Sequence, residues 1–226
     1  MGQGPPPRAI VFDLDGTLVD TLHDILSALN RVMGEEALRA ITYDEGRVMV
    51  GGGARWLVEQ AMREAKGDTS TARIDACYAR FLDYYLAAPA VSSRPFDGVT
   101  DMLTRLGAAG HLFGVCTNKP HEITLCVLEA LDLSRFFGAA VLGGDALGVR
   151  KPDAGHLLAV LGQLGAEPGR ALMVGDSETD VAVARNAGVP VVVVDFGYTA
   201  RPAGELGADA VISSFDELPG LLDRLG

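Results

Sequence analysis

From about residue 99 onward, amphipathic helical stretches alternate with short runs that are apolar on both sides, and few folds can accommodate that order. Val99, Met102, Leu103 and Leu106 give a helix, "HLFGVCTN" a strand and "HEITLCVLEALDL" a helix. There follow "AAVLGG" as a strand, "AGHLLAVLGQLG" as a helix, "ALMVGD" as a strand and "DVAVARNAG" as a helix. "VPVVVVD", "ADAVIS" and a short closing helix end the chain. A strand without a polar face must be covered on both faces, so the expected fold is α/β, a doubly wound parallel sheet.

The run "AIVF" at residues 9–12 adds one more strand, after which the pattern is purely helical. Leu22, Ile25, Leu26, Leu29, Val32 and Met33 form one apolar face. Thr42 with Glu45 is a capping-box pair that opens a second helix. After "GGG", Leu57, Val58, Ala61, Met62 and Ala65 make a third stripe, with Gly67 as its expected stop. Ile74, Cys77, Tyr78, Phe81, Leu82 and Tyr85 make a fourth, ending before Pro89. Residues 20–92 are therefore expected to be an all-helical insert without strands, with "SSRPFDG" as its exit linker. Residues 9–19 and 93–226 would form the α/β core, and residues 1–8, "MGQGPPPR", a loose tail.

Composition narrows the partners. With 48% hydrophobic residues over 226 positions the chain can bury a sizeable core, yet no apolar run approaches the roughly 20 residues of a membrane span. No charged-then-apolar signal opens the chain, so the expected address is the cytoplasm. Pro6 stands where N-myristoylation wants Ser or Thr. A net charge of −11 opposes nucleic-acid binding and leaves a small anionic molecule as the expected partner, if local cations offset the field. Cys77, Cys116 and Cys126 have no paired spacing and are expected as buried free thiols. His23, His111, His121 and His156 are too scattered for a metal site.

The polar residues are informative by position. "AIVF" ends at Asp13, "LFGVC" at Thr117-Asn118, and "ALMVG" at Asp176. In an open parallel sheet, ligands bind beyond the carboxyl ends of the strands, so these residues meet at one rim. Lys151, in "VRKPD", reaches the same rim. Asp15-Gly16 could instead signal a hairpin, but helical periodicity follows it rather than a second alternating strand.

Several carboxylates facing one pocket must share a proton or hold a hard cation, and an oxygen-only set suits Mg²⁺. Lys151 and Thr117 would then serve phosphoryl oxygens. An aspartate such as Asp13 can attack phosphorus, while an acid at i+2, Asp15, protonates the leaving oxygen and later deprotonates water. Each residue also has a plainer reading, the lysine as a solvated charge and Thr-Asn as an ordinary strand-end turn.

Taken together, the chain resembles the haloacid dehalogenase superfamily of phosphotransferases. "FDLDGTLVD", "CTNKP", Lys151-Pro152 and "GDSETD" look like its four motifs, in order and over nearly the whole chain after the tail. The resemblance implies Asp13 as nucleophile and Mg²⁺ ligand, and Asp15 as acid/base and metal ligand through its main-chain carbonyl. It also implies Thr117, Asn118 and Lys151 as the phosphoryl-holding set, Asp176 as a Mg²⁺ ligand and Asp180 as a supporting acid. The helical insert would be the family's cap. "VGGGARWLVEQA" is similar to the cap loop and helix of bacterial phosphoglycolate phosphatases; a glycine-rich entry to a helix N-terminus can receive an anion and Arg55 adds a charged fork for a carboxylate, so Gly52, Gly53 and Arg55 are candidate substrate contacts. A flexible glycine loop with Arg55 in solvent is the alternative.

Asp15 disfavours carbon–halogen cleavage, because the dehalogenases of the superfamily lack that second acid. Ile25 stands where the related phosphomutases carry a cap histidine, although His23 lies close by. The expected activity is Mg²⁺-dependent hydrolysis of a small phosphomonoester, with 2-phosphoglycolate leading, by a monomer or homodimer. Another sugar, nucleotide or pyrophosphate substrate, a phosphomutase, and a non-catalytic metabolite-binding protein are the alternatives.

Overall fold

The computed structural model describes residues 8–222 and Arg224. In chain order the first half runs β1 (Ala9–Phe12), β2 (Val19–Asp20), α1 (Leu22–Glu35), α2 (Tyr43–Arg47), α3 (Ala54–Glu64), α4 (Thr71–Ala87), β3 (Arg94–Pro95) and α5 (Val99–Ala108). There follow β4 (Leu112–Cys116), α6 (His121–Ala130), α7 (Ser134–Phe137), β5 (Val141–Leu142) and α8 (Ala154–Leu164). The chain closes with β6 (Ala171–Gly175), α9 (Glu178–Ala187), β7 (Val191–Val194), β8 (Ala210–Ile212) and α10 (Leu218–Leu222).

The sheet order is β5-β4-β1-β6-β7-β8, with every pair parallel. From β1 the chain winds outward through β4 to β5, then returns to β6 on the other side of β1. This is the doubly wound arrangement that the alternating pattern demands, and it puts the topological switch between β1 and β6.

The strands are apolar throughout because each face has its own cover. Ile10, Phe12, Phe113, Val115, Leu172 and Val174 point into one core, which continues through α5 into α1, α3 and α4. Ala9, Val11, Ala171, Met173, Val191 and Val193 point into a second core with Leu157, Val160, Val183 and Ala184. Period-2 side-chain alternation thus divides one strand between two hydrophobic layers. Among the described residues, no helix is long and apolar enough to cross a membrane.

Four details depart from the sequence expectation. The tail expected over residues 1–8 lies, except for Arg8, outside the described residues, and the Arg8 carbonyl accepts the Leu112 N–H at 3.0 Å, prolonging the β1–β4 ladder. Val19–Asp20, expected at the boundary between core and helical insert, and Arg94–Pro95, expected in the exit linker, pair antiparallel and join the two crossings into and out of the helical unit. At the end of α3 the left-handed residue is Lys66 (φ 58°), not Gly67. Gly67 is instead a packing site, where a Cβ would come within 2.6 Å of Leu38 Cδ1. Cys126 is only half-buried on α6, whereas Cys77 and Cys116 are buried as expected.

Candidate active site

Asp13 follows β1 directly, and its N–H donates to the Val174 carbonyl at 2.9 Å, so the ladder with β6 fixes the residue. Its Oδ1 accepts the Leu14 N–H at 2.7 Å. Its Oδ2 lies 2.9 Å from Lys151 Nζ, which also reaches Asp180 Oδ1 at 2.6 Å. All three residues are buried. Burial works against the Lys151 charge, but Asp13 and Asp180 outweigh it and hold the ammonium above the usual lysine range. For Asp13 burial wins over the pull of Lys151, and Asp180 adds to it, pushing the carboxyl up to about 6.

Asp176 follows β6. Its Oδ1 accepts the Thr17 hydroxyl at 3.1 Å and its Oδ2 the Tyr198 N–H at 2.7 Å. The turn carrying Thr17 comes this close because Gly16 has φ +81° and no side chain; a Cβ there would lie 2.5 Å from Asp176 Oδ2. Burial, then Asp180 and Asp13, push the Asp176 carboxyl well above the ordinary range. Asp180 holds the loop: its Oδ2 accepts the Asp176 N–H, the Ser177 N–H and the Ser177 hydroxyl at 3.2, 3.0 and 2.6 Å.

Oxygens of Asp13, Asp176 and Asp180 lie within 4.8 Å of one another. Lys151 serves two of these acids, and among the described residues no cation pairs with Asp176. A buried, oxygen-only cluster with surplus negative charge fits a hard divalent cation. The Asp15 side chain is not part of that cluster.

Asp15 faces the other way. Its Oδ1 accepts from Thr21 Oγ1 at 2.6 Å and from Lys119 Nζ at 2.9 Å. Lys119 was not among the residues expected at the site, yet its side chain is only 2% exposed and its Nζ also donates to the Tyr85 hydroxyl at 2.5 Å. Thr117 lies under it, its Oγ1 accepting the Lys119 N–H at 3.3 Å and keeping a proton to donate. Asn118, expected in the phosphoryl-holding set, is brought to the same rim and lines the pocket. Its amide NH₂ donates to the Gly51 and Lys151 carbonyls at 3.0 and 3.1 Å, which makes the side chain a strut between the helical unit and the Lys151 loop.

Tyr198, in the loop after β7, is a second residue that sequence reasoning missed. Its backbone holds Asp176, while its hydroxyl accepts the N–H groups of Thr21 and Leu22 at 2.7 and 3.0 Å and donates to Asp20 at 2.5 Å. The phenol therefore caps α1, whose own N-cap hydroxyl, on Thr21, is committed to Asp15. One tyrosine connects the acidic cluster to the first crossing into the helical unit.

A pocket opens over Asp13 and Asp15. Thr117, Asn118, Lys119 and Pro120 line it from the core, and Ile25, Met49, Leu57, Phe81 and Tyr85 from the helical unit. Gly53 lines this pocket, while Gly52 lines a neighbouring opening with Trp56, Asp176 and Tyr198. Arg55 lines neither. Its guanidinium turns along the helical surface to Asp75 at 2.8 Å and Glu59 at 3.9 Å, so the structure does not bring the expected cap cation to the site. An acidic partner on α4 and another one turn along α3 give it nearer anions than the pocket does.

The sequence model described as haloacid dehalogenase-like hydrolase matches residues 10–194. Phosphoglycolate phosphatase of Caulobacter vibrioides is 46% identical over 210 residues, spanning 93% of this chain and 88% of that protein. Phosphoglycolate phosphatase of Agrobacterium fabrum is 43% identical over 226 residues, spanning 100% of this chain and 97% of that protein. Among solved structures, a predicted phosphoglycolate phosphatase from Haemophilus somnus 129PT superposes with a TM-score of 0.87 at 29% identity, over 98% of this chain and 99% of that one. The match spans β1 to β7 and includes every acid of the rim, and on that ground the chain belongs to the haloacid dehalogenase-like hydrolases.

Proposed function

We propose that this phosphoric monoester hydrolase, a phosphatase of small phosphate esters, acts on 2-phosphoglycolate through an aspartyl-phosphate on Asp13, with Mg²⁺ as its cofactor. The observation that carries the reading is the buried division of labour at the rim: Asp13 paired with Lys151, and Asp15 held apart by Thr21 and Lys119. The names of the relatives supply the substrate.

In the first step an Asp13 oxygen attacks phosphorus, the P–O ester bond breaks, and Asp15 gives its proton to the departing alkoxide. In the second, water attacks the same phosphorus, Asp15 takes its proton, and phosphate leaves with Asp13 restored. Lys151 offsets charge on the phosphoryl oxygens, and Thr117 donates its hydroxyl to one of them. Asp13 and Asp176, with the Asp15 carbonyl, would hold Mg²⁺, which supplies charge neutralisation at the phosphoryl group. Asp180 holds Lys151 and the Asp176 loop in register. The helical unit, residues 20–92, acts as a cap whose apolar wall excludes bulk water.

The test is phosphate release from a panel of small phosphomonoesters, with Mg²⁺ and with chelator, by the wild type and Asp13→Asn. Expected is a kcat/KM for phosphoglycolate about 100-fold above sugar and nucleotide phosphates, worth roughly 2.7 kcal/mol in the transition state, and loss of turnover in the variant. Flat activity across the panel would overturn the substrate, and normal turnover by Asp13→Asn would overturn the nucleophile.

A further inference from the structure

If the substrate is phosphoglycolate, its carboxylate needs a receiver, and the cation expected for that purpose, Arg55, is turned away toward Asp75 and Glu59. Lys151 is committed to Asp13 and Asp180. Among the residues lining the pocket over Asp13 and Asp15, Lys119 is the single cation. The backbone puts it there: Thr117 ends the run after β4, and Pro120 begins the turn into α6, so position 119 sits at the rim beside the phosphoryl-holding hydroxyl.

The contacts of Lys119 leave bonding capacity in the right place. An ammonium carries three protons, and two are directed to Asp15 Oδ1 at 2.9 Å and Tyr85 Oη at 2.5 Å. The third has no acceptor among the described residues. Tyr85, contributed by α4, accepts from Lys119 and retains its own hydroxyl proton, and it too lines the pocket. Two adjacent donors, one of them charged, form a fork that suits the two oxygens of a carboxylate. Around them Ile25, Leu57 and Phe81 keep the surroundings apolar, which strengthens a charge-assisted bond.

Spacing then selects the ligand. Asp15, as the acid that protonates the ester oxygen, must touch that oxygen, and Lys119 Nζ stands 2.9 Å from Asp15. In 2-phosphoglycolate the carboxylate is attached to the same carbon as the ester oxygen. Sugar phosphates and nucleotides carry no charge at that short separation.

We propose that Lys119 and Tyr85 form the carboxylate-receiving subsite that sets specificity for a two-carbon phosphorylated acid. The proposal rests on the phosphoglycolate reading above. It assigns Lys119 a binding role beyond its pairing with Asp15, and it gives the helical unit a direct part in substrate choice through Tyr85.

The experiment compares kcat/KM for phosphoglycolate with that for ethyl phosphate, which keeps the carbon skeleton and lacks the carboxylate. Wild type, Lys119→Met and Tyr85→Phe are assayed, with circular dichroism and thermal melts to verify folding. Any effect of Lys119 on Asp15 acts on both substrates, so the ratio isolates the carboxylate. The wild-type ratio is expected to fall about 100-fold in Lys119→Met and about 10-fold in Tyr85→Phe, as the loss of a charged and a neutral donor should do. A ratio kept at its wild-type value in Lys119→Met, whatever the absolute loss, overturns the proposal and leaves the phosphoglycolate reading standing. A wild-type ratio near one overturns that reading and the proposal with it. If Lys119→Met does not fold, Tyr85→Phe carries the test, and an unchanged ratio there has the same meaning.

Discussion

The rim of the sheet and the outer surface of the helical unit use the same residue types, carboxylates and basic groups, in opposite settings. At the rim, Asp13, Lys151, Asp176 and Asp180 are each 5% exposed or less, and one lysine with a set of hydrogen bonds offsets only part of the charge of the three acids. On the helical unit, Arg39 with Glu45, Arg63 with Glu59 and Arg55 with Asp75 lie in solvent. The lesson is one of dielectric. Water screens the outer pairs to a fraction of a kcal/mol, whereas the buried set shifts its own proton affinities and cannot lose a member cheaply.

The largest effect should come from breaking the buried set. Lys151→Met keeps the volume of the side chain but leaves Asp13 and Asp180 facing each other without a cation. A loss of about 3–5 kcal/mol in unfolding free energy is expected, measured by urea denaturation in metal-free buffer, together with loss of turnover. A variant as stable as the wild type would erase the contrast between the two regions.

A smaller, pH-dependent effect sharpens the same comparison. His156 is fully buried on α8, its Nδ1 accepts the Lys151 N–H at 3.2 Å, and burial, then Lys151, push its pKa down to about 4 while the backbone of Leu142 and Gly143, then Asp153, pull the other way. Between the unfolded value near 6.5 and the folded value, the unfolded chain binds the extra proton, so acid removes stability. The contribution is fully present above about 6.5 and is lost at about 1.4 kcal/mol per pH unit as pH falls toward 4. Asp13, with its pKa raised, works in the opposite direction. The difference between wild type and His156→Asn therefore isolates the histidine. The stability of the wild type minus that of His156→Asn should decline as pH falls from 6.5 to 4, by up to about 1.4 kcal/mol per pH unit, and parallel curves would refute the assignment.

How much of this was legible in the sequence follows from the physics of each feature. The doubly wound sheet was readable because strands covered on both faces have no polar side, as "ALMVG" and "VVVV" show. The rim acids were readable because strand ends in such a sheet share one edge. Lys119, within "CTNKP", is not legible as a site residue, since a lysine after a strand ordinarily reads as a solvated charge; its neighbours Thr117 and Pro120 are the available signal. Tyr198 was not readable at all, because its partners Asp20, Thr21 and Leu22 lie some 177 positions away and only tertiary packing brings them together. The β2–β3 ladder is two residues long and leaves no periodicity to detect.

The smallest expected effect tests the outer side of the comparison. The Arg55 side chain is 42% exposed, its partners Asp75 and Glu59 are themselves in contact with water, and it lines neither pocket. Arg55→Ala should therefore cost less than about 1 kcal/mol of stability and leave kcat/KM for phosphoglycolate within roughly twofold of the wild type. The measurement matters because the sequence offers this arginine as a candidate fork for the substrate carboxylate, whereas the proposed subsite uses Lys119. A tenfold or larger fall in kcat/KM at unchanged stability would mean that Arg55 leaves Asp75 and swings over the pocket when substrate binds. The helical unit would then recognise substrate by rearranging an exposed ion pair. Retained activity would remove Arg55 from substrate recognition, as the proposed subsite requires, with Lys119 already desolvated beside Asp15 before substrate arrives.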